Sequence, residues 1–73
     1  MTDPLLSFWA SPPASLWATP VIAQVRNVSV ALLERERWLG TGPKYLKVRD
    51  RVLYRKADVL AWVDEVARAE AAV

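Results

Sequence analysis

The side chains in this chain that have chemistry to offer are cations. Nine of the ten Lys and Arg residues fall between positions 26 and 56: Arg26, Arg35, Arg37, Lys44, Lys47, Arg49, Arg51, Arg55 and Lys56. Only Glu34, Glu36 and Asp50 oppose them there, so that stretch carries +6, whereas the residues after it carry −3. Guanidinium and ammonium groups grip phosphate oxygens and, in a groove, read base edges. A field segregated in this way steers a molecule toward a polyanion. Charge alone leaves a second option, a solvated surface of mixed sign. Proton transfer and metal ligation are poorly served by comparison. The chain has no His and no Cys, which removes the usual zinc sites, thiolate chemistry and imidazole acid–base catalysis. No nucleophile and base can be paired from what is left, so neither an enzyme nor a bound metal or cofactor is expected.

Two segments must position these cations. The first is residues 29–39, SVALLERERWL. Ser29 is a good helix cap, because its hydroxyl can accept from an N–H that the first turn leaves unpaired. Gly40 marks the exit, and Thr41-Gly42-Pro43 forms a rigid corner. Leu33 is the inward position, joined by Leu32 or by the stem of Arg37. Ser29, Val30, Ala31, Glu34, Arg35 and Arg37 are then the candidates to meet a nucleic acid: small side chains allow close approach, and the helix start suits a phosphate. The alternative for Arg35 and Arg37 is local pairing with Glu34 or Glu36, worth only ~0.2–0.5 kcal/mol per pair. Trp38 and Leu39 are expected in the core.

The second segment is a hairpin. Tyr45-Leu46-Lys47-Val48 and Val52-Leu53-Tyr54 are β-rich runs around Arg49-Asp50-Arg51. Its first strand is expected to be half-buried, with Leu46 and Val48 on one face. Lys44, Lys47, Arg49, Arg51, Arg55 and Lys56 place six cations within thirteen positions, with one acid among them. They form the candidate phosphate-gripping wing.

The rest of the chain supports these two. Thr19-Pro20 signals a helix start with a capping Thr and Pro in the first turn. Ile22 and Val25 make its apolar stripe, Gln24 and Arg26 its wet side. Asn27 suits a tight turn into the next helix. Residues 57–72 form the strongest helix pattern, with Val59, Trp62 or Val63, and Val66 at helical spacing and Trp62 in the core. Residues 67–73 are apolar enough to fray or to meet a second copy.

Residues 1–18 contain Pro4, Pro12 and Pro13, which argues against a long regular element. They also hold Leu5, Leu6, Phe8, Trp9, Leu16 and Trp17, so this arm either folds over the core or meets a partner. Leu5 to Ala10 is too short to span a bilayer, and a cytoplasmic location is expected. At 73 residues the chain suits one small α+β domain at 19–73 with an arm at 1–18, and a chain of that size buries only about 60% of its unfolded surface.

Asn27-Val28-Ser29, Leu33-Glu34-Arg35, Gly40-Thr41-Gly42-Pro43, Lys47-Val48, Arg51-Val52-Leu53-Tyr54-Arg55 and Asp58-Val59-Leu60-Ala61-Trp62 together resemble the AlpA and excisionase type of small winged helix-turn-helix proteins. These are related in fold to the DNA-binding domain of MerR regulators. The resemblance spans residues 20–63. It implies two short helices, a two-stranded β-hairpin wing and a C-terminal helix, with residues 29–35 entering a groove and 49–51 forming the wing.

It also implies sequence-specific binding of double-stranded DNA by a recombination directionality factor of a mobile element, or by a transcriptional regulator. Such a protein would work with a tyrosine recombinase or with further copies of itself, and with no membrane or small-molecule substrate. Three positions depart from the pattern. Glu36 replaces an aromatic that Trp38 would have to supply, Arg49 replaces a wing Gly, and Ala57 replaces a Ser or Thr cap. The rival reading from another class is a protein-interaction module that oligomerises through the Trp-rich arm and the Ala-rich C-terminal helix.

Overall fold

The computed structural model describes residues 3–71, so residues 1, 2, 72 and 73, on which the readings of both chain ends partly rest, lie outside the described residues. The described chain is an α+β domain of four helices and a three-stranded antiparallel sheet. Its elements run α1 (Pro4–Ala10), β1 (Leu16–Ala18), α2 (Thr19–Arg26), α3 (Val30–Leu39), β2 (Leu46–Val48), β3 (Arg51–Arg55) and α4 (Lys56–Ala71). The sheet order is β1-β3-β2.

The N-terminal stretch is a structural part of the domain. Asp3 caps α1 by accepting from the Leu5 N–H at 2.9 Å, and Pro4 occupies the first turn, where its missing N–H costs nothing. Phe8 is fully buried with Ile22, Ala23, Leu33, Tyr54 and Val59. Trp17 packs edge-on to Phe8, and its indole N–H donates to Ser15 Oγ at 2.7 Å. β1 pairs along β3, with Leu16 opposite Arg55 and Ala18 opposite Leu53. The hairpin expected from the sequence is therefore the outer two-thirds of a larger sheet.

This arm also solves the start of α4. Ala57 offers no side-chain cap, but the Lys56 and Ala57 N–H groups donate to the carbonyls of Ser15 and Pro13, both at 2.9 Å. Lys56 is turned inward and is 8% exposed. Its ammonium donates to the carbonyls of Trp9 and Ser11 at 3.0 and 2.7 Å, the end of α1 where a positive charge is favoured. Lys56 is thus removed from the exposed cations of the hairpin.

Between α2 and α3 the chain turns in three residues. Asn27 closes α2 in the left-handed region at φ 57°, and Ser29 caps α3 by accepting from the Leu32 N–H at 3.1 Å. The expected Thr19 cap does not form. Ala18 holds the cap position, and Thr19 is buried with its hydroxyl facing Arg37. α3 ends at Gly40 with φ 72°. Among the described residues no helix is long and apolar enough to cross a membrane.

Candidate nucleic-acid interface

α3 buries one residue fully, Leu33, and offers the opposite side to solvent. Ser29, Val30, Ala31, Glu34 and Arg35 are all exposed, as expected for a helix that presents its first turns outward. Arg37 departs from that group. It lies four residues after Leu33, one turn along the same side, and donates to Tyr54 Oη at 2.8 Å and to Thr19 Oγ1 at 3.3 Å. Its guanidinium also sits 5.8 and 5.9 Å from the Tyr45 and Tyr54 ring centroids. The guanidinium ties α3 to α2 and the sheet, and it is withdrawn from the outer face.

The same helical arithmetic corrects Trp38 and Leu39. Trp38 follows Leu33 by five residues, about 140° around the helix, and it is 87% exposed. It does not replace the aromatic that Glu36 displaces. Glu36, three residues after Leu33, instead receives Arg26 in a two-point grip, with Nη1–Oε1 at 2.6 Å and Nη2–Oε2 at 2.9 Å. Arg26 is therefore on no wet side: the exposures of the two side chains are 9% and 14%. Trp62 completes the group. It is half-buried rather than core, stacks on the Arg26 guanidinium at 4.2 Å and donates from its indole to the Thr41 carbonyl at 3.1 Å. Gly42 is required by close approach, because a Cβ there would lie 2.7 Å from Glu36 Oε1. Arg26, Glu36, Gly42 and Trp62 thus lock α2, α3, the corner and α4 together.

The hairpin sorts its cations by sheet face. Val52 and Tyr54 point to the core, so Arg51, Leu53 and Arg55 point away from it. Lys47 pairs with Val52 and so shares the face on which α3 packs. Lys44, Lys47, Arg49, Arg51 and Arg55 are all exposed, yet Arg51 and Arg55 stand on the sheet face that α3 does not use. The expected half-burial of β2 does not occur. Its residues are exposed on both faces, because it is the edge strand and the outer sheet face is uncovered.

At the tip, Val48 pairs with Arg51, leaving the two-residue loop Arg49-Asp50. Arg49 takes φ 57°, a region that costs an L-residue ~1–2 kcal/mol and glycine little. Arg49→Gly is accordingly expected to raise Tm by a few degrees. A thermal melt reads the change, and a lowered Tm would contradict the strain.

Neither a family model nor a curated protein matches this chain. The site is therefore read from its own geometry. The fold brings the first turns of α3, Lys47 and the Arg49 tip to the exposed surface, with Lys47 on the sheet face that carries α3. It does not bring Lys56 or Arg37 there. The locking role of Arg26 escaped the sequence reading, since its partner lies ten positions away. The signal for it was a charged residue, Glu36, at inward spacing from Leu33.

Proposed function

We propose that this protein binds double-stranded DNA in the manner of a winged helix-turn-helix, with the outer face of α3 in a groove and the hairpin tip against the backbone. Val30, Ala31, Glu34 and Arg35 would meet bases, and Lys47 and Arg49 would meet phosphates. The observation that carries the reading is the exposed first half of α3, joined to α2 by a three-residue turn, in a domain whose hairpin holds five cations free of the core. Lys44, Arg51 and Arg55 add to the field from the rim. Following the resemblance, the role is that of an excision or transcription factor acting through DNA architecture, with no catalysis of its own.

Fluorescence anisotropy with a mixed-sequence duplex tests the reading. Affinity is expected to fall with salt, with a log–log slope near −2 from the phosphate contacts of Lys47 and Arg49, and Lys47→Ala or Arg49→Ala each removes about one unit. Arg35→Ala with Lys47→Ala should weaken binding more than Arg51→Ala with Arg55→Ala, because only the first pair shares the α3 side. No binding at low salt, or the reverse ranking, would refute the proposed face. Footprinting on DNA flanking the protein's own coding region, followed by an excision assay with a tyrosine recombinase supplied in trans, separates the excision role from the transcriptional one.

A further inference from the structure

The outward line of α3 does not end at Arg35. Counted from inward Leu33, the solvent side of the helix is centred on Ala31, Arg35 and Trp38, about 160°, 200° and 140° around from it. Trp38 repeats the bearing of Ala31 two turns later and stands one turn beyond Arg35. It is the most exposed large apolar side chain among the described residues. The other three indoles are engaged. Trp9 and Trp17 pack edge-on to Phe8, and Trp62 lies over the Arg26 guanidinium. The N–H groups of Trp17 and Trp62 also have protein acceptors. Among the described residues Trp38 meets no aromatic ring, no cation and no hydrogen-bond acceptor, so the fold makes no use of its ring.

Charge indicates what covers it. Arg35, on the same line, is exposed and belongs to neither ion pair of the described residues. The stretch from Arg26 to Lys56, which contains the helix, carries +6. A bare indole one turn from an unpaired guanidinium suits a sugar–phosphate backbone: the ring lies on apolar deoxyribose while the N–H donates to a phosphate oxygen. Glu34, one turn before Trp38, is the acid of this face, and a carboxylate there can accept from a cytosine amino group.

Given the DNA reading above, on which this inference rests, we propose that Trp38 is a further DNA-contacting residue, holding the end of α3 against the wall of the groove. With the first turn of α3 at the base edges, Trp38 stands about 10 Å farther along the helix axis. The major groove is only ~12 Å wide, so the end of the helix has reached the backbone that borders it. The contact is neutral. It adds affinity on every sequence and releases no counterion of its own.

Fluorescence anisotropy of labelled duplexes with the full chain, its Trp38→Ala and its Trp38→Phe variants tests the inference. Trp38→Ala should weaken binding roughly tenfold, by a similar factor on unrelated duplexes, with the log–log salt slope unchanged. Trp38→Phe keeps a ring without the N–H and should fall between. Far-UV circular dichroism and Tm of both should match the parent, because the side chain stands outside the core. Tryptophan emission gives a second readout: duplex should protect the parent from acrylamide quenching, and that protection should be lost in Trp38→Phe and kept in Trp9→Phe. If the parent binds DNA while Trp38→Ala binds equally well and protection survives Trp38→Phe, the inference is overturned and the DNA reading stands. No binding by the parent at low salt overturns both. Normal DNA binding by Trp38→Ala with loss of self-association in sedimentation would also overturn the inference, by assigning the indole to a protein contact.

Discussion

Glu36→Ala is expected to cost about 3 kcal/mol, because breaking a buried ion pair by removing one partner strands the other charge. Arg26 has nowhere else to go. Its side chain is 9% exposed, it lies beneath the Trp62 ring, and Glu36 is the carboxylate it meets in the structure. A domain of this length has ~4–11 kcal/mol of stability in all, so the variant should lose a large share of it. At 4–8 °C per kcal/mol for domains of this size, Tm should drop by more than about 12 °C.

Two further variants separate charge from packing. Arg26→Met with Glu36→Leu should recover most of the loss, since apolar replacements of both partners often match a buried pair. Gly42→Ala should resemble a mild form of Glu36→Ala, because the added methyl displaces the carboxylate. Urea denaturation followed by Trp fluorescence gives each value, and a loss below about 1 kcal/mol for Glu36→Ala would rank the pair with ordinary surface ion pairs.

Phe8→Ala is expected to be at least as damaging, at about 3–5 kcal/mol for a fully buried aromatic. The ring is 0% exposed and sits against Trp9, Trp17 and the Lys56 ammonium. Its removal leaves a cavity under α1 and loosens the helix end that holds Lys56. Because the Ser15 and Pro13 carbonyls cap α4, loss of the arm is also expected to fray the first turn of the C-terminal helix, visible by amide hydrogen exchange at Lys56 and Ala57. Leu6→Ala, at an exposed position of the same helix, should shift stability by no more than about 0.5 kcal/mol. If Phe8→Ala behaved like Leu6→Ala, the N-terminal stretch would be a removable cover.

The fold was legible in the sequence wherever a local rule was decisive. Ser29 and Gly40 bracket α3, Asn27 takes the turn, and the two β-rich runs around residues 49–51 pair, because caps, turns and alternation depend on neighbours in sequence. The N-terminal helix obeyed the same grammar, since Asp3-Pro4 joins a capping side chain to a Pro in the first turn. It was hidden because three prolines were weighed as breakers, when one of them opens a helix. Lys56 and Arg26 were misjudged for a different reason. A Lys beside a basic hairpin looks solvated until α1 brings two unpaired carbonyls to it from 45 and 47 positions away, and no spacing rule reaches so far. Trp38 and Trp62 show the limit of composition. Trp38, at a helix end, reads as interior by type, but its angle from Leu33 turns it outward; Trp62 reads as interior from its spacing to Val59, but it is half-buried over the Arg26 guanidinium. Of the candidate site, the exposed half of α3 and the hairpin cations were readable, whereas the division of those cations between two sheet faces emerged only from strand register.

The central strand β3 is paired on one side by its hairpin partner and on the other by a strand from near the opposite end of the chain, with Arg55 lying 39 positions after Leu16. The β2–β3 ribbon can form early and locally, but its third member arrives only after a long loop has closed. That entropy grows slowly with loop length yet must be met before any pairing returns it. Refolding is therefore expected to be paced by the docking of the N-terminal strand, with Trp17, on that strand, reporting the slow step and α4 reaching full hydrogen-exchange protection only once it is complete.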